Sequence, residues 1–336
     1  MRHSISIIVP CYNEETYISN CIESIVGADI DFEETEVFFV DGGSTDNTTR
    51  IIELYAKQYP FIELLHNSKK ITPVAMNIGI EASSGEYLFI ISAHADYPED
   101  YFATLTQQCE ALGAACVGGV LKTDVKNSTF KSNSIKSILI HRFGVGNATF
   151  RTGVDTIREV DTVAFGCYPR ETFVRYGVFD EQLIRNQDIE FNKRIIRGGG
   201  KIYLIPEIEA TYFARENFTA LAKNNYANGY WNLLTAYYTK TLNSLSLRHF
   251  IPLIFVLSLI LPLLFGLFIS EFLWIGAFSL VSYLALVIII SFKLKEQNND
   301  FFYLVLSFLT LHFSYGFGSL VGLFTVMKKV ILLRGT

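Results

Sequence analysis

Three short polar runs carry the residue types that acid–base and metal chemistry require. The first is Asp41-Gly42-Gly43-Ser44. A carboxylate followed by two glycines lets the backbone approach a ligand closely, and the carboxylate can accept hydrogen bonds from a nucleobase imide or a ribose. The same run, continued by Thr45 and Asp46, equally suits a turn that caps the following helix. The second run is Ser92-Ala93-His94-Ala95-Asp96. An imidazole or hard oxygen donors can hold a divalent cation, which neutralises a departing phosphate group. His94 stands at the ligand position, with a loop histidine of no such role as the alternative. The third run, Asn186-Gln187-Asp188-Ile189-Glu190, opens a helix. The helix dipole there favours an ionised carboxylate, and an ionised carboxylate can serve as a general base. Plain charge pairing with the helix end is the other reading.

These runs need elements to position them. Residues 5–9 (ISIIV) form a strand stopped by Pro10, and Asn13 is placed to cap a helix over 14–26. Strands follow at 36–40, 61–65, 87–91 and 115–121, alternating with helices at 48–58, 73–83 and 98–112. That alternation predicts a parallel sheet with helices on both faces, whose ligands bind beyond the carboxyl ends of the strands. The first two runs and Pro10-Cys11-Tyr12-Asn13-Glu14 all sit at such ends and should face one crevice. Residues 122–160 are rich in Lys, Asn, Ser, Thr and Gly, and read as a mobile segment over that crevice. Strand character returns at 160–168 and 201–205, around a helix at 188–197 that Gly198-Gly199-Gly200 ends.

Half of the 336 residues are hydrophobic, and the excess lies after about residue 249. Apolar segments at 250–269, 272–292 and 301–327 are each long enough to cross a bilayer core of about 30 Å. Arg248 precedes the first, and Lys293 and Lys295 follow the second, which predicts a cytoplasmic position for the part before them. Three full spans would leave Lys328, Lys329 and Arg334 outside, so the third segment, with its glycines, is open to bending or lying at the interface. The net charge of −5 and the lack of a basic run argue against nucleic acid as a partner. The five scattered cysteines have no metal or redox spacing and read as buried small residues in a reducing compartment. Residues 5–9 read as a strand rather than a secretory signal.

Taken together, the runs IIVPCYNEE, FVDGGSTDNT and VDTVAFGCYPRETFVRYGVFDEQLIRNQDIEFNKRI resemble family-2 glycosyltransferases. The resemblance covers roughly residues 4–235 and points to the branch that includes glucosyltransferases of succinoglycan-type exopolysaccharide assembly. It implies an α/β GT-A fold, a Rossmann-like mixed sheet for nucleotide-diphospho-sugar transfer over residues 1–240. A C-terminal membrane domain of transmembrane helices at 241–336 would follow. It further implies donor contacts from Pro10, Tyr12, Glu14, Asp41 and Ser92, a divalent metal (Mg2+ or Mn2+) on His94, Asp188 as catalytic base, and Gln187 on the acceptor side. Arg215 and residues 226–231 fall where relatives carry a mobile segment over the diphosphate. Ser92 stands where relatives usually carry the first aspartate of the metal motif, with Asp96 two residues on, and Gln187 stands where many carry glutamate. Processive relatives carry Gln-x-x-Arg-Trp, whereas Trp231 here follows Asn228-Gly229-Tyr230, which implies one sugar per cycle.

The implied reaction is inverting, metal-dependent transfer of a sugar from a UDP-hexose-type donor to a hydroxyl of a polyprenyl-diphosphate-linked saccharide. It would take place on the cytoplasmic side of the plasma (inner) membrane, in contact with membrane lipid. A polyprenyl-phosphate sugar synthase and a non-catalytic sugar-nucleotide-binding scaffold are the alternatives.

Overall fold

The computed structural model describes residues 3–146, 148–240 and 247–334, with the Leu247, Arg248, Leu333 and Arg334 side chains outside the described part. Its first half runs β1 (Ile5–Cys11), α1 (Ile18–Val26), β2 (Thr35–Asp41), α2 (Thr48–Gln58), β3 (Ile62–His66), α3 (Thr72–Ala82), β4 (Tyr87–Ile90), β5 (Ala95–Asp96), α4 (Tyr101–Leu112) and β6 (Cys116–Asp124). There follow α5 (Phe130–Leu139), α6 (Arg142–Val145), α7 (Thr149–Thr152), β7 (Arg158–Glu159), β8 (Cys167–Pro169), α8 (Arg170–Tyr176), α9 (Gln187–Arg197) and β9 (Ile202–Phe213). The last helices are α10 (Phe218–Tyr238), α11 (Ile251–Phe265), α12 (Phe272–Leu294) and α13 (Phe301–Arg334). The chain divides into two compact units, Met1–Thr123 with Thr149–Phe213, and Asp124–Ala148 with Ala214–Thr336.

In the first unit the strands order as β3-β2-β1-β4-β8-β6-β9-β5, with β7 on β9. Successive side chains of a strand point to opposite faces, so a strand apolar throughout is buried on both. Ile7 and Val9 pack with Phe39, Phe89, Ile22 and Phe102 on one face. Ile8 packs with Phe38, Ile90, Phe191 and Ile195 on the other. Strands β1 to β4 are parallel, as the βα alternation requires, and Cys11 pairs with Asp41 at the carboxyl end. The parallel pairing read from the βα alternation extends through β4, and beyond it the sheet takes the mixed form that the family resemblance implies. β8 runs antiparallel to β4 and β6, and β5 and β7 run antiparallel to β9. The sheet is therefore mixed.

Four local expectations are corrected. Asn13 caps no helix: α1 starts at Ile18 with Tyr17 as an uncapped N-cap residue, and Asn13 adopts φ 55° to serve a loop instead. Within the stretch 160–168 only Cys167 and Tyr168 are strand, because Phe165, two residues before, takes φ 52°, which breaks an extended run. The segment 122–160 is not an unstructured cover. Thr129 and Ser132 close a reciprocal capping box at the start of α5, whose Ile135 and Ile138 are fully buried against Phe308 and Leu311. Residues 226–231 likewise lie within the packed helix α10 rather than in a mobile segment.

In the second unit, α12 and α13 are long and apolar enough to cross a membrane. The first apolar segment is not: α11 has 15 residues, about 22 Å of rise, with Pro252 in its first turn and Pro262 inside it. α13 continues as one helix past its glycines, without a bend into a re-entrant loop. The turn after α12 is tied to α5, with Asn133 Nδ2 donating to the Asn298 carbonyl at 2.9 Å and Asn299 Nδ2 to Ser137 Oγ at 3.3 Å.

Candidate active site

The loops after β1 and β2 are stitched together by side chains that accept backbone N–H groups. The Asn13 N–H donates to Ser44 Oγ (2.8 Å), the Glu14 N–H to Thr48 Oγ1 (2.7 Å) and the Thr45 N–H to Asn13 Oδ1 (2.8 Å). From the side of β2, the Asn47 N–H donates to Glu15 Oε2 at 3.0 Å. Asp41 is buried at the head of this turn, where its carboxylate accepts from the Gly43 N–H (2.8 Å), the Ser44 N–H (3.0 Å) and Ser44 Oγ (2.5 Å). Asp41 thus shapes the loop through its own backbone, and Gly42, rather than the Asp41 side chain, faces the cavity beyond the strand ends.

That cavity has a volume of 310 Å³, and Pro10, Tyr12, Glu14, Ser92, His94 and Asp188 all line it. Residues up to 84 positions apart, Pro10 to His94, are brought together because parallel strands place their carboxyl ends on one edge, and Asp188 joins them from the first turn of α9. His94 is held by Glu14, whose Oε1 lies 3.0 Å from Nδ1. The Ser92 hydroxyl lies 3.4 Å from the same nitrogen. The Ser92 backbone is clasped in turn by the Tyr97 hydroxyl, which accepts from its N–H (2.8 Å) and donates to its carbonyl (3.0 Å). Tyr212 on β9 packs beside the imidazole, with ring centroids 5.2 Å apart.

Asp188 lies in the first turn of α9, after Asn186 at φ 63°. Its Oδ1 accepts the Ile189 N–H at 2.8 Å, and no cation pairs with it among the described residues. The side chain reaches solvent through the cavity while protein crowds it from the other sides. This desolvation holds its pKa above the ordinary aspartate range, against the lowering effect of the local N–H groups. Burial likewise pushes the Cys11 thiol and the Tyr168 phenol, both lining the cavity, well above their usual values, so both stay protonated. Gln187 does not line the cavity. It is buried, and its Oε1 has no hydrogen-bond partner among the described residues. Asp96 also stays off the cavity wall, and Arg215 belongs to the second unit.

The donor set fits a metal held only in part by protein. No group of three His, Cys, Asp or Glu side chains able to hold an ion occurs among the described residues. His94, fixed by a carboxylate on its other nitrogen, supplies one oriented imidazole of the kind metal sites use. Phosphate oxygens and water would have to complete the shell, which is how magnesium is commonly held at phosphate sites.

Among the lining residues that the sequence reading did not assign to the site are Lys70 and Phe165. Lys70 reaches back over Gly43, its Nζ 3.1 Å from where a Cβ on that glycine would stand. The available signal was a cation shortly after a strand end, at β3. Phe165 holds a left-handed backbone, its carbonyl accepting from Tyr101 Oη at 2.8 Å. No sequence pattern announces a bulky residue at positive φ.

Comparison with known proteins matches this arrangement. The model of the glycosyl transferase family 2 covers residues 6–181, more than half of the chain. A Methanococcus voltae protein, dolichyl N-acetyl-alpha-D-glucosaminyl phosphate 3-beta-D-2,3-diacetamido-2,3-dideoxy-beta-D-glucuronosyltransferase, is 31% identical over 234 residues, which is 67% of this chain and 71% of that one. Succinoglycan biosynthesis protein ExoA of Rhizobium meliloti (strain 1021) is 30% identical over 217 residues, 64% of each chain, so the match spans just under two thirds of that relative. Among solved structures, a mannosyltransferase from Pyrobaculum calidifontis in complex with GDP-Man and Mn2+ superposes with a TM-score of 0.60 at 15% identity, covering 94% of this chain and 87% of that one. TarS 1–349 of S. aureus in complex with UDP-GlcNAc gives 0.51 at 17%, covering 95% and 90%. The mixed sheet with its polar carboxyl edge is accordingly a GT-A fold, and the chain belongs to glycosyltransferase family 2 and is a glycosyltransferase.

Proposed function

We propose that the chain transfers one sugar from a nucleotide-diphosphate donor, a UDP-hexose, to a hydroxyl of a lipid-linked saccharide by a single inverting displacement. The observation that supports this most is the division of labour between the two cavity carboxylates. Glu14 is committed to His94, whereas Asp188 is crowded, raised in pKa and paired with no cation. Asp188 accepts the proton of the acceptor hydroxyl. The hydroxyl oxygen bonds to the anomeric carbon as the bond to the diphosphate breaks, and the electron pair leaves with the diphosphate. An α-linked donor then gives a β-linked product. A two-step route through a covalent intermediate would need a second nucleophile, and Cys11 is held protonated.

In this reading Pro10, Tyr12 and Ser92 bound the nucleotide side of the cavity, and Asp41 orders the turn that meets the nucleoside. Gln187 stands behind the acceptor side. A divalent metal, Mg2+ or Mn2+, would be held by His94 and would neutralise charge on the leaving diphosphate. Loss of a carboxylate that orients a ligating histidine typically weakens metal affinity about 10- to 100-fold. Glu14→Ala should therefore raise the Mn2+ concentration for half-maximal turnover by about that factor. An unchanged metal titration would remove His94 from this role.

The acceptor class is supported by relatives whose names place them in dolichyl-linked sugar transfer and in succinoglycan biosynthesis. A lipid-linked acceptor also suits two apolar helices, α12 burying only 11% of its most hydrophobic window. Lys293 and Lys295 flank the turn bonded to α5, and α5 leaves the catalytic sheet directly after β6, so the basic turn and this insertion share the cytoplasmic face of the inner membrane in our assignment. By function rather than by compactness, we assign the chemistry to 1–240 and the membrane domain to 241–336. The test is a panel of labelled nucleotide sugars offered to membranes carrying the intact chain, with a lipid-linked saccharide or polyprenyl phosphate alone as acceptor. A β-linked product on a saccharide hydroxyl is expected. Transfer to polyprenyl phosphate alone, where the acceptor is already ionised and needs no base, would overturn the proposal.

A further inference from the structure

Arg151, on the single turn α7, is a cation without an anion. Its guanidinium carbon lies 5.2 Å from the Tyr212 ring centroid and 5.6 Å from that of Phe150. Nη1 makes one long bond, 3.3 Å, to Thr123 Oγ1. No carboxylate pairs with Arg151 among the described residues, and burial pulls its pKa below the ordinary value, with Tyr212 partly offsetting this. Arg194 and Arg170 of the same unit have fuller sets of acceptors. Arg194 grips both oxygens of Glu190 and donates to the Tyr176 and Val178 carbonyls. Arg170 donates to the Gly85 carbonyl at 2.7 Å and to Ser83 Oγ at 3.1 Å.

A guanidinium has five N–H donors in a rigid fork, and a desolvated one whose polar contacts are the Thr123 hydroxyl and the Tyr212 phenol, both neutral, lacks an oxyanion. Its position says which kind. The Tyr212 ring that carries Arg151 also packs against His94, 5.2 Å between centroids, and Tyr212 is paired with Ala95 in the strand that follows the histidine. An anion resting on Arg151 is thus one aromatic ring away from the imidazole that lines the cavity. We propose that Arg151 is a diphosphate-binding residue, its fork gripping the phosphate oxygens beside His94 across Tyr212. This rests on the reading above that a diphosphate occupies the cavity during turnover.

The test is binding, measured by calorimetry on the full chain in detergent micelles. The probes are inorganic pyrophosphate, UDP, uridine and farnesyl diphosphate. Arg151→Met should weaken pyrophosphate about 10- to 100-fold, the usual value of a charged, forked hydrogen bond, and leave uridine unchanged. Whichever of UDP and farnesyl diphosphate loses affinity with it identifies the donor or the lipid as the source of the bound group. Unaltered pyrophosphate affinity would overturn the proposal, as would equal weakening of uridine and UDP. Wild-type protein that binds pyrophosphate but neither UDP nor uridine would sink the nucleotide-donor reading while still letting the variant judge Arg151. Should the methionine variant fail to fold, Arg151→Lys keeps the charge but not the fork. Several-fold weaker pyrophosphate binding is then expected, and wild-type affinity would count against the assignment.

Discussion

Asp188→Asn is expected to lower sugar transfer by about 10²- to 10⁴-fold, the usual contribution of a positioned base. Asparagine matches the shape of aspartate, and its carbonyl can still accept the Ile189 N–H that anchors Oδ1. The start of α9 and the donor side of the cavity should therefore survive, and nucleotide affinity should not change. What is lost is the capacity to take a proton. The pH profile carries the more specific signature. Desolvation raises the Asp188 pKa, and the base works only when ionised. Activity should hence fall as pH drops through a limb lying above about 3.9, the value of an unperturbed aspartate. The raised pKa also makes the carboxylate a stronger base at neutral pH. In the asparagine variant the residual rate should lack this limb. Full turnover in the variant, or an acid limb that persists in it, would take Asp188 out of the mechanism.

Much of the catalytic unit was legible because its signals are local. The apolar runs of β1, β2 and β4 and the turn chemistry around Asp41 are each contained in a few residues, and parallel topology then forces their carboxyl ends onto one edge. Pro10, Tyr12, Glu14, Ser92 and His94 could be placed on one crevice for that reason, whereas Asp188, at the start of a helix, came from the family resemblance. What could not be read depends on partners far away in sequence. Asn13 looked like a cap for its own helix, but its acceptor is used by the loop 32 positions on. Residues 122–160 looked like a loop because polar residues dominate, yet the apolar pair Ile135 and Ile138 finds its core in α13, more than 160 residues later. Arg151 and Tyr212 meet only because β9 runs on to Phe213, beyond the strand expected at 201–205. The glycines of the last segment were visible, but their use was not. Glycine at membrane depth suits both a bend and a close helix contact, and only the partner decides.

That partner is α10, and it gives the largest expected effect on stability. A Cβ on Gly318 would stand 2.0 Å from the Tyr226 carbonyl oxygen, and one on Gly229 2.0 Å from that of Tyr315. Gly322, one turn beyond Gly318, would meet the Tyr230 carbonyl at 2.6 Å. These neighbours are backbone atoms, which cannot rotate away, so an added methyl must push the two helices apart. Spreading them also strains the buried bond from Asn232 Nδ2 to Tyr315 Oη, 2.6 Å long. Gly318→Ala and Gly229→Ala should each cost about 3 kcal/mol, the upper end for overpacking, and lower the melting temperature in detergent by roughly 6–12 °C. Val321→Ala, at an exposed position on the same helix, should change it little. The double variant supplies the sharper test. Both glycines lie on one seam, so separation of the helices forced by the first alanine makes room for the second. The two losses should then fall short of additive by at least 0.5 kcal/mol. Additive losses would mean that each methyl is accommodated locally, and that α10 and α13 do not move as rigid rods against each other.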